Sequence, residues 1–197
     1  RRLHLCDYNL ESIDTTSTNS DTLLAEVCMA AKYEGNSINT PYPKHENTNP
    51  DTKSQLCTVL ARSFADIGDI IRGKDLFRGY DEKDRKEKQK IQDNLKDIFQ
   101  KIHSDVTSGR NVALKTRYEN DTGNYSKLRE DWWTANRETV WKAITCEVKS
   151  GSQYFRPTCG KNDTRTGEDC RCPRGDQVPT YFDYVPQYLR WFEEWDE

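Results

Sequence analysis

Seven cysteines stand in a chain of 197 residues in which Leu, Ile, Val and Phe together number only 35. So little aliphatic side chain gives a thin core, and covalent cross-links are the usual remedy. The cysteines are Cys6, Cys28, Cys57, Cys146, Cys159, Cys170 and Cys172. A zinc site needs closely paired cysteines or histidines at ligand spacing. Only Cys170 and Cys172 are close together, and His4, His45 and His103 lie far from them in sequence. The spacing therefore favours structural disulfides over a metal site, with buried reduced thiols as the alternative. All seven are disulfide candidates. Thiols two residues apart rarely bond each other, six cysteines allow fifteen pairings, and the seventh is free or bonds outside the chain.

With 32% charged residues and a mean hydropathy of -1.02, the composition leans toward disorder. A net charge of only -3 and an aromatic content of 11%, with five Trp, argue for a folded module instead. The length suits one large domain or two small ones. No run approaches the roughly 18 apolar residues of a spanning helix, so this segment inserts in no membrane. Arg1-Arg2-Leu3-His4-Leu5-Cys6 lacks the apolar run of a signal peptide. A nearly neutral balance argues against nucleic acid, and any anionic partner needs a local basic face.

Apolar spacing predicts an all-α chain without strands or internal repeats. Leu23, Leu24, Val27, Cys28 and Ala31 mark a helix over about 22–34, capped by the polar run ending at Asp21 and stopped by Gly35. Residues 36–53, with Pro41, Pro43 and Pro50, form a surface excursion. A second helix runs from about Ser54 to Arg72 on Leu56, Leu60, Phe64 and Ile67; Gly68 inside it marks close packing and Gly73 ends it. Residues 83–103 form a charged helix with one narrow stripe of Ile91, Leu95, Ile98, Phe99 and Ile102. Residues 107–124 break the pattern. The most apolar helix, about Tyr125 to Cys146, carries Trp132, Trp133 and Trp141 and reads as the central helix of a bundle. Residues 149–180 are loop. A division near residue 54 separates a loop-rich first part, 1–53, from a helical bundle, 54–197. The final helix ends among four carboxylates, unfavourable at a helix C-terminus, and reads as cut in mid-course, a fragment of a longer chain.

No nucleophile elbow, HExxH, phosphate loop or dinucleotide motif is present, so the sequence implies neither an enzyme nor a cofactor. Glu130-Asp131 beside Trp132-Trp133 imitates a sugar site, but the two acids diverge around the helix and can pair with Lys127, Arg129 or Arg137. The tryptophans are needed in the core. The basic face of the charged helix, Lys83, Lys86, Lys90 and Lys101, extended by Arg110, Lys115 and Arg117, is the candidate glycan-binding site. Against it, Glu82–Lys86 and Asp97–Lys101 can pair at i, i+4 and leave a solvated, self-paired surface. Asn120, Asn124 and Asn162 open Asn-x-Ser/Thr sequons.

Four blocks carry a resemblance: LLAEVCMAAKYEG from Leu23, LCTVLARSFADIGDIIRGKDL from Leu56, LREDWWTANRETVWKAITC from Leu128 and VPTYFDYVPQYLRWFEEW from Val178. With their connections they span almost the whole chain, which resembles the Duffy-binding-like domain, alpha class, of the Plasmodium falciparum erythrocyte membrane protein 1 adhesins. The resemblance implies a disulfide-stabilised Duffy-binding-like fold: a loop-rich first subdomain, a helical-bundle second subdomain and a third helical subdomain, here missing. It implies a non-enzymatic, antigenically variable adhesion domain on the extracellular face of the infected red cell, within a longer membrane-anchored protein. Its implied partners are host red-cell or endothelial surface receptors, with sulfated glycans such as heparan sulfate, blood-group sugars and complement receptor associated with rosetting. An antigen-displaying spacer without a ligand of its own is the alternative. No binding-site residue transfers by motif, because the matched blocks are scaffold.

Overall fold

The computed structural model describes residues 5–39, 55–148, 151–175 and 177–193. The helices are α1 (Tyr8–Glu11), α2 (Ser20–Asn39), α3 (Gln55–Arg72), α4 (Glu82–Ser108), α5 (Val112–Tyr118), α6 (Ser126–Ile144) and α7 (Gln187–Glu193), with a 3-10 turn at Phe182–Tyr184. Two isolated β-bridges occur and no strand, among the described residues. The division expected near residue 54, most of the 36–53 excursion and the acidic end with Trp195 lie outside the described residues.

Local signals fix where the helices begin. Asn19 Oδ1 accepts from the backbone N–H of Asp21 and Thr22, while Thr22 Oγ1 accepts from Asn19 N, a reciprocal cap for α2. Asp81 accepts from Asp84 N at the start of α4, and Asn111 accepts from Ala113 N and Leu114 N at α5. Asp121 reaches across a turn to Lys127 N and Leu128 N, closing the start of α6.

Helix ends are completed from elsewhere in the chain. Gly73, at φ 73°, closes α3 with Gly73 N donating to Ile70 O and Lys74 N to Asp69 O. The carbonyls of Ile70 and Ile71 also accept from the buried Arg129 guanidinium of α6, through Nη2 at 3.3 Å and Nε at 2.6 Å. Burial lowers Arg129 to about 10, yet a C-terminal helix dipole suits a cation there. Arg171 treats α6 likewise, donating to Lys142 O at 2.7 Å and Thr145 Oγ1 at 2.8 Å.

One core joins α2, α3, α4 and α6, and α6 touches the other three, as its apolar breadth predicts. Phe64 lies between Trp133 and Trp141, with ring centroids 5.1 and 5.2 Å away, and Phe99 meets Trp132 edge-on. Gly68 packs on Trp133, where a Cβ would come within 2.8 Å of the indole. Gly35 departs from expectation: it does not stop α2 but lies inside it, and a methyl group there would overlap the Ile144 carbonyl. Its purpose is backbone-to-backbone approach of α2 and α6. The charged helix is longer than its apolar stripe indicates, and α5 occupies part of the stretch expected to be irregular.

Candidate functional site

A buried polar layer holds the frame behind the surface. Asp183, 1% exposed, accepts from Trp133 Nε1 at 2.8 Å and from Arg137 Nε and Nη2, both at 2.7 Å. Its backbone carbonyl accepts from Arg72. Asp69 takes Arg72 at 3.0 Å and Arg190 at 2.5 Å, and Asp66 takes Arg190 at 2.8 Å. Three carboxylates thus face three guanidiniums where α3, α6 and the 178–193 segment meet. Burial pushes the Asp69 carboxyl up to about 6 from an ordinary 3.8, outweighing the opposite pull of Arg190 and Arg72. The folded state therefore holds this proton more tightly than the unfolded chain. The stability it confers is complete below about 3.8 and is lost as pH rises through about 6. We expect the wild-type protein to lose on the order of 2 kcal/mol relative to Asp69→Asn between about pH 4 and pH 7 in urea unfolding. A stability difference flat across that window contradicts this assignment.

The predicted basic row is mostly neutralised. Lys86 pairs with Glu82 at 2.7 Å, as its spacing anticipates, and Lys83 with Glu87 at 3.6 Å. Lys90 meets Glu11 of α1 at 3.5 Å, a partner no local pattern announces. Lys101 donates to the Thr15 carbonyl instead of pairing with Asp97. Arg117 grips Asp131 through Nε at 2.7 Å and Nη2 at 2.9 Å, with Tyr118 OH on the same carboxylate at 2.7 Å. That bond to Arg117 holds the Asp131 carboxyl below its ordinary value. Asp131 thus pairs with α5, and Glu130 with Arg72 and Lys74, none of them the helical neighbours that spacing suggests.

Arg110 and Lys115 are exposed and have no ion pair among the described residues. The same holds for Arg156, Lys161, Arg165 and Arg174, which sequence reasoning missed because an irregular loop gives cations no periodic signal. That loop is held rigid. Cys57 bonds Cys170, Cys159 bonds Cys172, and Gln177 bridges Gly160 N and Thr158 O. Cys6, Cys28 and Cys146 are unpaired, so four of the seven candidates are joined, not six. Burial raises the thiols of Cys6 and Cys28, with Glu34 adding to the effect at Cys6, which keeps both poor nucleophiles. Among the described residues no metal-holding cluster occurs, and no helix is long and apolar enough to cross a membrane.

A model of the Duffy binding domain matches residues 1–190. No curated protein matches the chain. The solved NTS-DBL1(alpha-1) domain of the Plasmodium falciparum membrane protein 1 (PfEMP1) from the varO strain is 42% identical, at a TM-score of 0.74 over 98% of this chain and 41% of that one. The ICAM-1-binding DBLbeta domain of PfEMP1 IT4var13 is 35% identical, at a TM-score of 0.71 over 100% of this chain and 41% of that one. A further PfEMP1 DBLb domain, solved bound to human ICAM-1, is 31% identical, at a TM-score of 0.68 over 98% of this chain and 38% of that one. The chain spans about two-fifths of the length of these relatives.

Proposed function

The chain belongs to the Duffy binding domain family, and on that premise we propose that it forms part of an extracellular adhesion domain of the alpha class. The family is one of binding domains, not enzymes. In this reading the domain stands on the infected red cell within a longer membrane-anchored protein and engages host cell-surface receptors, as in rosetting or cytoadherence. The alpha class is favoured by 42% identity to the DBL1alpha domain against 35% and 31% to the DBLbeta domains. Adhesion is supported by the ICAM-1 complexes of the beta relatives, which share this frame. The observation that carries the reading is how the frame is tied together, by an ionic layer, two disulfides and an aromatic core, a support on which surface loops can vary without loss of the fold.

Within that reading, a sulfated glycan contacts the α4–α5 cations, with Arg110 and Lys115 leading because neither makes an ion pair among the described residues. We expect Arg110→Gln with Lys115→Gln to lower the salt needed for elution from a heparin column more than joint neutralisation of Lys83, Lys86 and Lys90. Loss of retention on replacing Arg156, Lys161 and Arg165 moves the contact to the disulfide-held loop. Retention unchanged by all three sets removes the glycan reading. The spacer reading then gains, which the balance of Glu11, Glu82 and Glu87 against Lys83, Lys86 and Lys90 already favours. Binding to red cells with and without heparin separates the two.

A further inference from the structure

The segment that joins the disulfide-held loop to the ionic layer begins Cys172-Pro173-Arg174-Gly175-Asp176-Gln177. It contains an Arg-Gly-Asp tripeptide, a cation and an anion separated by one glycine, which neither the core nor the α4–α5 cations use. The tripeptide by itself is a short match, and its setting decides what it can do. Gly175 N donates to the Cys172 carbonyl at 2.8 Å, closing a tight turn with Pro173 and Arg174 at its corners. Both corner residues are exposed, and the Arg174 side chain makes no hydrogen bond or ion pair among the described residues. Gly175 stands at φ 63°, a conformation that favours glycine, and a Cβ there would meet only Lys142 Cε, at 3.9 Å.

Both sides of the turn are anchored. Cys172 is bonded to Cys159, and Arg171 before it donates to Lys142 O and Thr145 Oγ1 at the end of α6. Gln177, next after Asp176, donates to Thr158 O at 3.0 Å and accepts from Gly160 N at 2.8 Å. Val178 is buried. Asp176 lies outside the described residues and enters through its identity and its place between Gly175 and Gln177.

We propose that Arg174-Gly175-Asp176 docks an integrin-type receptor, one whose pocket joins an acidic patch to a divalent cation with an open coordination position. A guanidinium pairs with carboxylates in a two-pronged fork, and an aspartate carboxylate is a hard oxygen ligand for magnesium or manganese. An exposed, cross-linked turn offers the motif with less conformational freedom left to lose on binding. A sulfated glycan is drawn to the cation but repelled by the anion, so the paired charges favour a protein receptor. The inference deepens the adhesion reading by naming a receptor class, and rests on that reading because such a receptor is met outside the cell.

Binding of residues 1–197 to a purified Arg-Gly-Asp-binding integrin ectodomain, immobilised in manganese buffer, tests it. Binding should saturate, disappear in EDTA and be competed by a cyclic Arg-Gly-Asp peptide. Asp176→Glu keeps the charge and adds one methylene, yet it should weaken binding at least about thirtyfold, as should Arg174→Gln. Unchanged thermal unfolding of both variants separates loss of contact from loss of fold. The peptide competition uses the unaltered chain and decides the matter even where a variant unfolds. Absence of manganese-dependent binding overturns the proposal. So does binding that survives Asp176→Glu, or that resists EDTA and the cyclic peptide and falls only with salt. Red-cell adhesion measured on the same samples reports separately on the proposed function, and its persistence without integrin binding sinks this inference alone.

Discussion

Replacing Asp183 with alanine should destabilise the fold by about 3–5 kcal/mol, because it removes one partner of a buried ion pair and strands the other. Arg137 loses both of its bonds to the carboxylate, and the fully buried Trp133 indole loses the acceptor for its N–H. The charge balance of the layer then fails, with Arg72, Arg137 and Arg190 left facing two carboxylates. Asp183→Asn keeps an acceptor in place and should cost clearly less than alanine. Urea unfolding midpoints of the three proteins measure the order. If alanine and asparagine fall together within about 0.5 kcal/mol of wild type, the layer does not organise the 178–193 segment.

The two disulfides should be unequal. Cys57–Cys170 spans a sequence separation of 113 and Cys159–Cys172 one of 13. If the links act chiefly on the unfolded chain, removing the long one costs about 4.7 kcal/mol and the short one about 3 kcal/mol. The long link also lies within the core, where Trp141 Nε1 donates to the Cys170 carbonyl at 3.2 Å. Thermal unfolding of Cys57→Ala/Cys170→Ala against Cys159→Ala/Cys172→Ala reads the difference. An inverted order means that local anchoring of the loop, not chain closure, is the larger effect.

Much of the frame was legible because it follows short-range rules. The stripe Leu56, Leu60, Phe64 and Ile67 and the stripe Ile91, Leu95, Ile98, Phe99 and Ile102 are buried as their spacing dictates. Trp132, Trp133 and Trp141 are core residues, as a chain poor in aliphatics requires. The Glu82–Lys86 pair was legible for the same reason. What escaped depends on partners distant in sequence. Gly35 carries the composition of a helix stop, and only the passing Ile144 carbonyl explains its place inside α2. Arg137 finds Asp183, Lys90 finds Glu11 and Arg117 finds Asp131 across gaps that no periodicity spans. Helix α5 is short and exposes Val112, so its Asn111 cap was its main signal. The surface was legible least, since whether a lysine is neutralised depends on the tertiary neighbour opposite it.

The arginine caps have a consequence for cooperativity. The Ile71 carbonyl of α3 is satisfied by Arg129 and the Lys142 carbonyl of α6 by Arg171, beyond the local turn bonds, so each helix end is completed only when a different stretch of chain has arrived. A synthetic peptide of either helix therefore frays, and a proteolytic half lacks the donors that its termini need. Partial unfolding has no sheltered resting place, and hydrogen exchange at Ile70, Ile71 and Lys142 should follow the global opening of the molecule.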